Sequence, residues 1–205
     1  KSQSQRSRYT VQAKMKKILL IGGTSLIGQN LIATSKCIID HPTRDKIDLT
    51  DFDKIRSFNY NGYDCLIFVA GAGMRHGRNL SFDNMEPNYI KETIDVNCTG
   101  ATFILQKYLN ANPKGFIVII GSGAVYKRST PNVVYTASKV YLDRMVDILE
   151  NTYQDTFFIR VNPAKVNSRF EHVDWYIDPK DVAKGVWHCI ENNIKKLDIS
   201  YPKGK

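Results

Sequence analysis

No acidic residue precedes Asp40 in this chain of 205 residues. Lys1, Arg6, Arg8, Lys14, Lys16, Lys17 and Lys36 all lie before it and account for most of the net charge of +9. A basic excess gathered at one end is not a surface that tracks a phosphate backbone, so no nucleic-acid partner is read from it. Residues 1–14 are rich in Ser and Gln, poor in apolar side chains and aperiodic, the composition of a disordered tail. They read as an unstructured extension or an expression remnant ahead of Met15. The competing reading, an organelle transit peptide, needs an apolar stripe of helical period that this segment lacks.

Long apolar runs are missing too. None approaches the roughly 18 residues that cross a bilayer, so no membrane span is expected. The longest, residues 18–21 and 116–120, have the length of buried strands. Cys37, Cys65, Cys98 and Cys189 form neither a C-x-x-C pair nor a metal-ligand spacing, and no secretory apolar segment precedes them. Three of the four sit among apolar residues and read as small hydrophobes. A reducing, cytoplasmic setting and no metal are expected.

What is present is an alternation of short β-like runs with helix-length amphipathic segments. Strands are predicted at 17–21, 37–40, 46–49, 64–70, 116–120 and 156–161. Helices are predicted at 26–33, 87–109, 131–149 and 179–192, the last with Pro179 in its first turn. Almost nothing separates 37–40 from 46–49, so one crossover helix reads as deleted. The pattern predicts an α/β fold, a doubly wound parallel sheet of Rossmann type, in a single domain over 15–205.

Candidate chemistry begins at Gly22-Gly23-Thr24-Ser25-Leu26-Ile27-Gly28, which follows the first strand and opens a helix. Glycines there let backbone N–H groups approach a pyrophosphate at the positive end of the helix. A tight turn with no ligand would carry the same residues. Asp40 lies 18 residues after Gly22, where a ribose-binding carboxylate belongs. It is equally a solvated Asp before Pro42, and Arg44 is a rival that could meet a 2′-phosphate. Asp48 could reach an adenine edge or cap a helix starting near Asp51.

Tyr135-Thr136-Ala137-Ser138-Lys139 puts a phenol and an ammonium on one helical face. The cation favours phenolate, which makes tyrosine a usable general acid/base near neutral pH. Alone, such a pair is also an ordinary exposed helix face. Ser122 stands just past a strand end, where open α/β sheets place ligands, and 13 residues before Tyr135. Asn97 sits inside a helix, a poor place for Asn unless its side chain has a task.

In order and approximate spacing, Gly22 to Gly28, Asp48, Ala70-Gly71, Asn97, Ser122, Tyr135 and Lys139 resemble the short-chain dehydrogenase/reductase family. The likeness runs from about residue 16 to 192. Arg160-Val161-Asn162, then Pro163-Ala164, Val166 and Ser168, resembles the family's segment beside the nicotinamide. The resemblance implies hydride transfer between NAD or NADP and a small carbonyl or alcohol. Tyr135 would carry the proton and Lys139 would hold the ribose hydroxyls and activate Tyr135. Ser122 would bond the reacting oxygen, while Asn97 would kink its helix and hold a water. The cofactor would lie along Gly22, Thr24, Ser25, Ile27, Gly28, Asp40, Asp48, Leu49, Ala70, Gly71, Tyr135, Lys139 and Pro163. Asp40, set against Arg44, tips the cofactor toward NAD. A homodimer or homotetramer would form through the helices of Tyr135 and Asn97.

The chain departs from the family at several points. Leu26 replaces a turn glycine, Phe68-Val69-Ala70-Gly71 replaces Asn-Asn-Ala-Gly, and Pro163-Ala164 replaces Pro-Gly. The loop between Ser168 and Pro179 is short, and its Phe170, Val173, Trp175 and Tyr176 read either as an open apolar rim or as core packing. The alternative function is a cofactor-binding regulatory or scaffold protein without turnover, against which the Tyr135–Lys139 pair argues. A sugar-nucleotide epimerase or dehydratase would need a sizeable C-terminal substrate domain, and few residues follow Asn192.

Overall fold

Strands that are apolar on both faces must lie between two covering layers. A computed structural model of the chain, which describes residues 15–73, 82–128, 130, 132–167, 174 and 176–200, places them so. Strands β1 (Lys17–Ile21), β2 (Ile38–Asp40), β3 (Cys65–Phe68), β4 (Phe116–Ile120), β5 (Phe157–Pro163) and β6 (Lys196–Ile199) form one sheet. Its order is β2-β1-β3-β4-β5-β6 and every pair is parallel. Side chains alternate with the pleat. Leu19, Leu66, Phe68, Ile117 and Phe158 enter one core with α2 (Phe52–Ser57), α4 (Ala101–Ala111) and α5 (Val133–Thr152). Ile18, Leu20, Ile67, Val118 and Ile159 enter the other, beneath α1 (Leu26–Thr34) and α6 (Pro179–Asn192). This is the doubly wound sheet expected. Its direction reverses at β1, so the C-terminal ends of β1 and β3 lie where open α/β sheets place ligands.

One buried cation fixes α5 to the sheet. Arg160 of β5 pairs with Asp147, and lies 3.6 Å from Asp143 and 3.5 Å from Glu150, all on α5. At the other end of the sheet, Asp178 caps α6 by accepting the Lys180 N–H at 2.7 Å.

Residues 46–49, expected as a strand, are a loop in which Ile47 and Leu49 are buried. A parallel strand needs a crossover of about a dozen residues, and the link from Asp40 is far shorter. Their alternating pattern reflects two side chains reaching the core from a turn. The single long helix expected at 87–109 is α3 (Pro87–Ile94), a wider segment with π-type bonding (Asp95–Gly100), then α4. The four-residue β6 was not anticipated; Leu197 and Ile199 alternate with charged Lys196 and Asp198 on this short edge strand. Tyr176, read either as part of an open rim or as core packing, is buried and bonded to Lys165. The tail at 1–14 and the positions Gly77, Ser168, Phe170, Val173 and Trp175 lie outside the described residues. Among the described residues, no helix is long and apolar enough to cross a membrane, and no cluster of His, Cys, Asp or Glu could hold a metal.

Candidate active site

The turn after β1 requires its glycines. Gly22 has φ +98°, a conformation side chains resist, and a Cβ there would lie 2.6 Å from the Ala70 nitrogen. A Cβ at Gly28 would meet the Gly22 carbonyl oxygen at 2.5 Å, so α1 rests directly on the turn. Ser25 caps α1: its hydroxyl donates to the Gly22 carbonyl at 2.8 Å and accepts the Gly28 N–H at 3.0 Å. Thr24 is exposed on the same turn, and Ile27 leans half-buried on the core. The first turn of α1 carries no acidic residue, which leaves its positive end open to an anion.

Beside this turn lies the end of β2. The Tyr63 hydroxyl donates to Asp40 Oδ2 at 2.5 Å, and the Lys17 ammonium sits 4.4 Å over the Tyr63 ring. Burial, then the Asp40 carboxylate, pushes the Tyr63 phenol well up. A cavity of about 260 Å³ follows, lined by Asp40, His41, Thr43, Lys46 and Phe58 among others. A side chain at Gly23 would lie 2.7 Å from His41 Cβ, so this cavity adjoins the glycine turn.

Asp48 and Leu49 make other contacts. Asp48 Oδ1 accepts the Thr50 N–H at 2.9 Å and the Thr50 hydroxyl at 2.8 Å. Burial raises its carboxyl, but these bonds and the charges of Arg44 and Lys54 outweigh that and hold it low. Asp51, not Asp48, caps α2. Leu49 is buried and pressed on Gly100, where no side chain would fit.

The chemical centre gathers on α5, whose first turn is capped by Asn132 Oδ1 accepting the Tyr135 N–H at 3.3 Å. The half-buried Tyr135 ring lies against Gly73, leaving no room there for a Cβ. One turn on, Lys139 is only 5% exposed, with its ammonium 5.7 Å from the Tyr135 ring centroid. That ammonium is 3.1 Å from where a Gly71 Cβ would stand, and it makes no hydrogen bond or ion pair with a described residue. Burial pushes the nearby Cys98 thiol up, and the Lys139 charge pulls it partly back.

Asn97 lies in the π-type segment, and its side chain is spent on neighbours. Its oxygen accepts the Ala72 N–H at 2.7 Å; its amide donates to the Ala72 carbonyl at 2.7 Å and to Ser138 Oγ at 2.9 Å. Ser138 in turn donates to the Tyr135 carbonyl at 2.7 Å. The loop after β3 and the helix of Tyr135 are thus tied through one residue. A wider helical turn is a common device at functional sites, and this one brings Asn97 to that loop. Ser122 follows β4 and accepts the Ala124 N–H at 3.1 Å, a bond that leaves its own proton to donate. The Pro163 carbonyl, at the end of β5, lies 3.4 Å from the Cβ position of Gly123.

The structure therefore brings Gly71, Asn97, Tyr135 and Lys139 together, and sets Gly22 against Ala70. The residues present fit a dinucleotide: a glycine cradle meets the positive end of α1, and the Lys139 ammonium has no hydrogen bond or ion pair among the described residues.

Comparison with known proteins agrees with this fold. The family model for short chain dehydrogenases matches residues 46–171, more than half of the chain. This chain belongs to the short-chain dehydrogenases. An uncharacterised oxidoreductase of Mycobacterium bovis is 30% identical over 132 residues, 59% of this chain and 38% of the relative. The chain thus spans well under half the length of that relative. ElxO, solved with NADP bound, superposes with a TM-score of 0.77 at 17% identity, over 91% of this chain and 97% of that one. A short-chain dehydrogenase of Burkholderia cenocepacia, also solved with NADP, gives 0.76 at 16% identity, over 90% and 87% of the two chains.

Sequence reasoning missed Asn132, Ser138, Tyr89, Tyr63 and His41. Asn132 carried a usable signal, an Asn three residues before the first turn's end of an amphipathic helix. The others act through contacts distant in sequence. Replacing Asn97 by Leu is expected to leave the Ala72 N–H and carbonyl without partners. Ala72 is only half-buried, so water can take up part of what these bonds supplied, and urea unfolding should register a loss of about 1 kcal/mol. A change below about 0.5 kcal/mol, ordinary for a surface substitution, would mean that these bonds exchange freely with water.

Proposed function

We propose that this chain interconverts a carbonyl and an alcohol on a small substrate, with a nicotinamide dinucleotide as its partner. The observation that carries this reading is the Lys139 side chain, 5% exposed and with no hydrogen bond or ion pair to a described residue, beside the Tyr135 ring. A buried charge without a partner is costly, and a site that keeps one keeps it for a ligand or for chemistry. The bound nicotinamide supplies or accepts the hydride. Tyr135 gives its proton to the carbonyl oxygen in reduction and takes it back in oxidation. Lys139 donates to the ribose hydroxyls while its charge favours the phenolate that Tyr135 leaves behind. Ser122 donates to the reacting oxygen as negative charge develops on it. Asn97 holds the 71–73 loop in place, with Gly71 leaving room for the ammonium. Gly22, Thr24, Ser25, Ile27 and Gly28 cradle the pyrophosphate, and Ala70, Gly71 and Pro163 flank its path.

For the cofactor we favour NADP(H), a change from the lean toward NAD that Asp40 suggested. One Asp40 oxygen is committed to Tyr63, and the adjoining cavity offers His41, Thr43 and Lys46 to a 2′-phosphate. Two of the similar structures, ElxO and the Burkholderia enzyme, hold NADP. Asp48 has no part in this reading, because its carboxylate is turned to Thr50. The four free thiols accord with a cytoplasmic location.

The same reading includes a homodimer. Ile94, Thr102, Phe103, Ala137 and Tyr141 line a groove of about 440 Å³ between the Asn97 and Tyr135 helices. Val140, Tyr141 and Ile148 expose apolar surface along α5. Light scattering is expected to give a dimer that Tyr141→Glu converts to a monomer. A Tyr141→Glu protein that stays dimeric would place the interface elsewhere.

The catalytic assignment has a direct check. Tyr135→Phe is expected to fold and to bind NADPH as the parent does, while turnover falls by about 10²–10⁴. In the parent, NADPH should bind more tightly than NADH. Residual activity above about a tenth would remove Tyr135 from the acid/base role. Cofactor binding without turnover on any carbonyl would favour the scaffold alternative.

A further inference from the structure

Tyr135 lies in the first turn of α5, the part of a helix most prone to fray. Its backbone N–H is held by the Asn132 side-chain oxygen at 3.3 Å, longer than the usual hydrogen bond. The same oxygen accepts a second donor from another element: the Tyr89 hydroxyl, on α3, at 2.9 Å. Asn132 is nine-tenths buried, so it has little freedom to find other partners. Its amide nitrogen is buried with no hydrogen-bond partner among the described residues. Turning the amide over would aim that nitrogen at the Tyr135 N–H and lose the helix cap, even though the Tyr89 hydroxyl could then accept. The Tyr135 N–H therefore fixes the cap in a single orientation, although one amide donor goes unsatisfied.

We propose that Tyr89 is a positioning residue for Tyr135, acting through Asn132 as a strut from α3 to the first turn of α5. Asn132 alone would cap the helix; the Tyr89 hydroxyl clamps the cap. The consequence is felt at the phenol, since it hangs from the residue whose N–H is held. Misplacing a reacting group by about 1 Å can cost a hundredfold in rate, so a loosened strut appears in kcat before it appears in binding. Lys139, one turn further along α5, sits where the helix is anchored by Ser138 and Asn97, and cofactor affinity is left largely alone.

This inference rests on the proposed function, and its test separates the two. Tyr89→Phe removes one hydroxyl, Asn132→Ala removes the shared oxygen, and Asn132→Asp keeps it. Each variant and the Tyr89→Phe/Asn132→Ala double variant would be measured for kcat, KM, NADPH affinity and exchange of the Tyr135 amide hydrogen. Tyr89→Phe is expected to lower kcat about tenfold, with KM and NADPH affinity within about twofold of the parent. The double variant should fall no further than Asn132→Ala, because both changes break one strut. Asn132→Asp should restore most of the kcat lost in Asn132→Ala. A parental kcat in Tyr89→Phe, or losses that multiply in the double variant, would overturn the proposal. If the parent shows no turnover on any carbonyl, the functional reading fails by itself. The strut is then judged on exchange: Tyr89→Phe must speed it, and an unchanged rate refutes the strut.

Discussion

The arrangement of this site depends on one buried ammonium that the protein leaves without a counter-charge among its described residues. Lys139 sits under the loop after β3, and Gly71 has no side chain that would occupy its place. Removing an ammonium from water costs several kcal/mol unless partners replace the lost solvation. The same sheet and helix also carry a second buried cation with the opposite solution. Arg160 meets three carboxylates on α5, so its charge is matched, and its role is to hold α5 on β5. Two cations bear on one helix, and among the described residues only Arg160 is paired. The other marks the proposed site.

Other features of the molecule follow from keeping Lys139 and Tyr135 in register. The π-type segment at Asp95–Gly100 turns Asn97 toward the loop after β3, and Asn97 then binds both that loop and Ser138. Gly100 lets this wider segment press on Leu49. Leu49 sits in the short link between β2 and α2. The short link, the wide turn and the loop over Lys139 thus form one packed unit.

Much of this was legible in the sequence, for identifiable reasons. Strands buried on both faces are continuous apolar runs, so β1, β3 and β4 could be read directly. Tyr135 and Lys139 were legible because helical spacing alone puts them on one face. Residues 46–49 misled because alternation records burial of every second side chain, and a loop can supply that as well as a strand. The bond from Tyr63 to Asp40 joins residues 23 apart in sequence, and nothing local to Asp40 announces it. Tyr89 and Asn132, 43 residues apart, were hidden for the same reason. β6 was missed because a four-residue edge strand with two charges has no pattern long enough to read.

The central claim is that Lys139 is kept largely buried, without a counter-charge among the described residues, for the ribose of a dinucleotide and for the Tyr135 phenol. Calorimetric titration of NADPH into the parent and into Lys139→Met tests it most directly, with urea unfolding of both unliganded proteins alongside. Loss of a charged hydrogen bond, about 1.5–3 kcal/mol, should weaken NADPH binding in Lys139→Met at least about tenfold. The unliganded variant should be no less stable than the parent, because an apolar side chain replaces an uncompensated buried charge. Equal NADPH affinity in the two proteins would contradict the account.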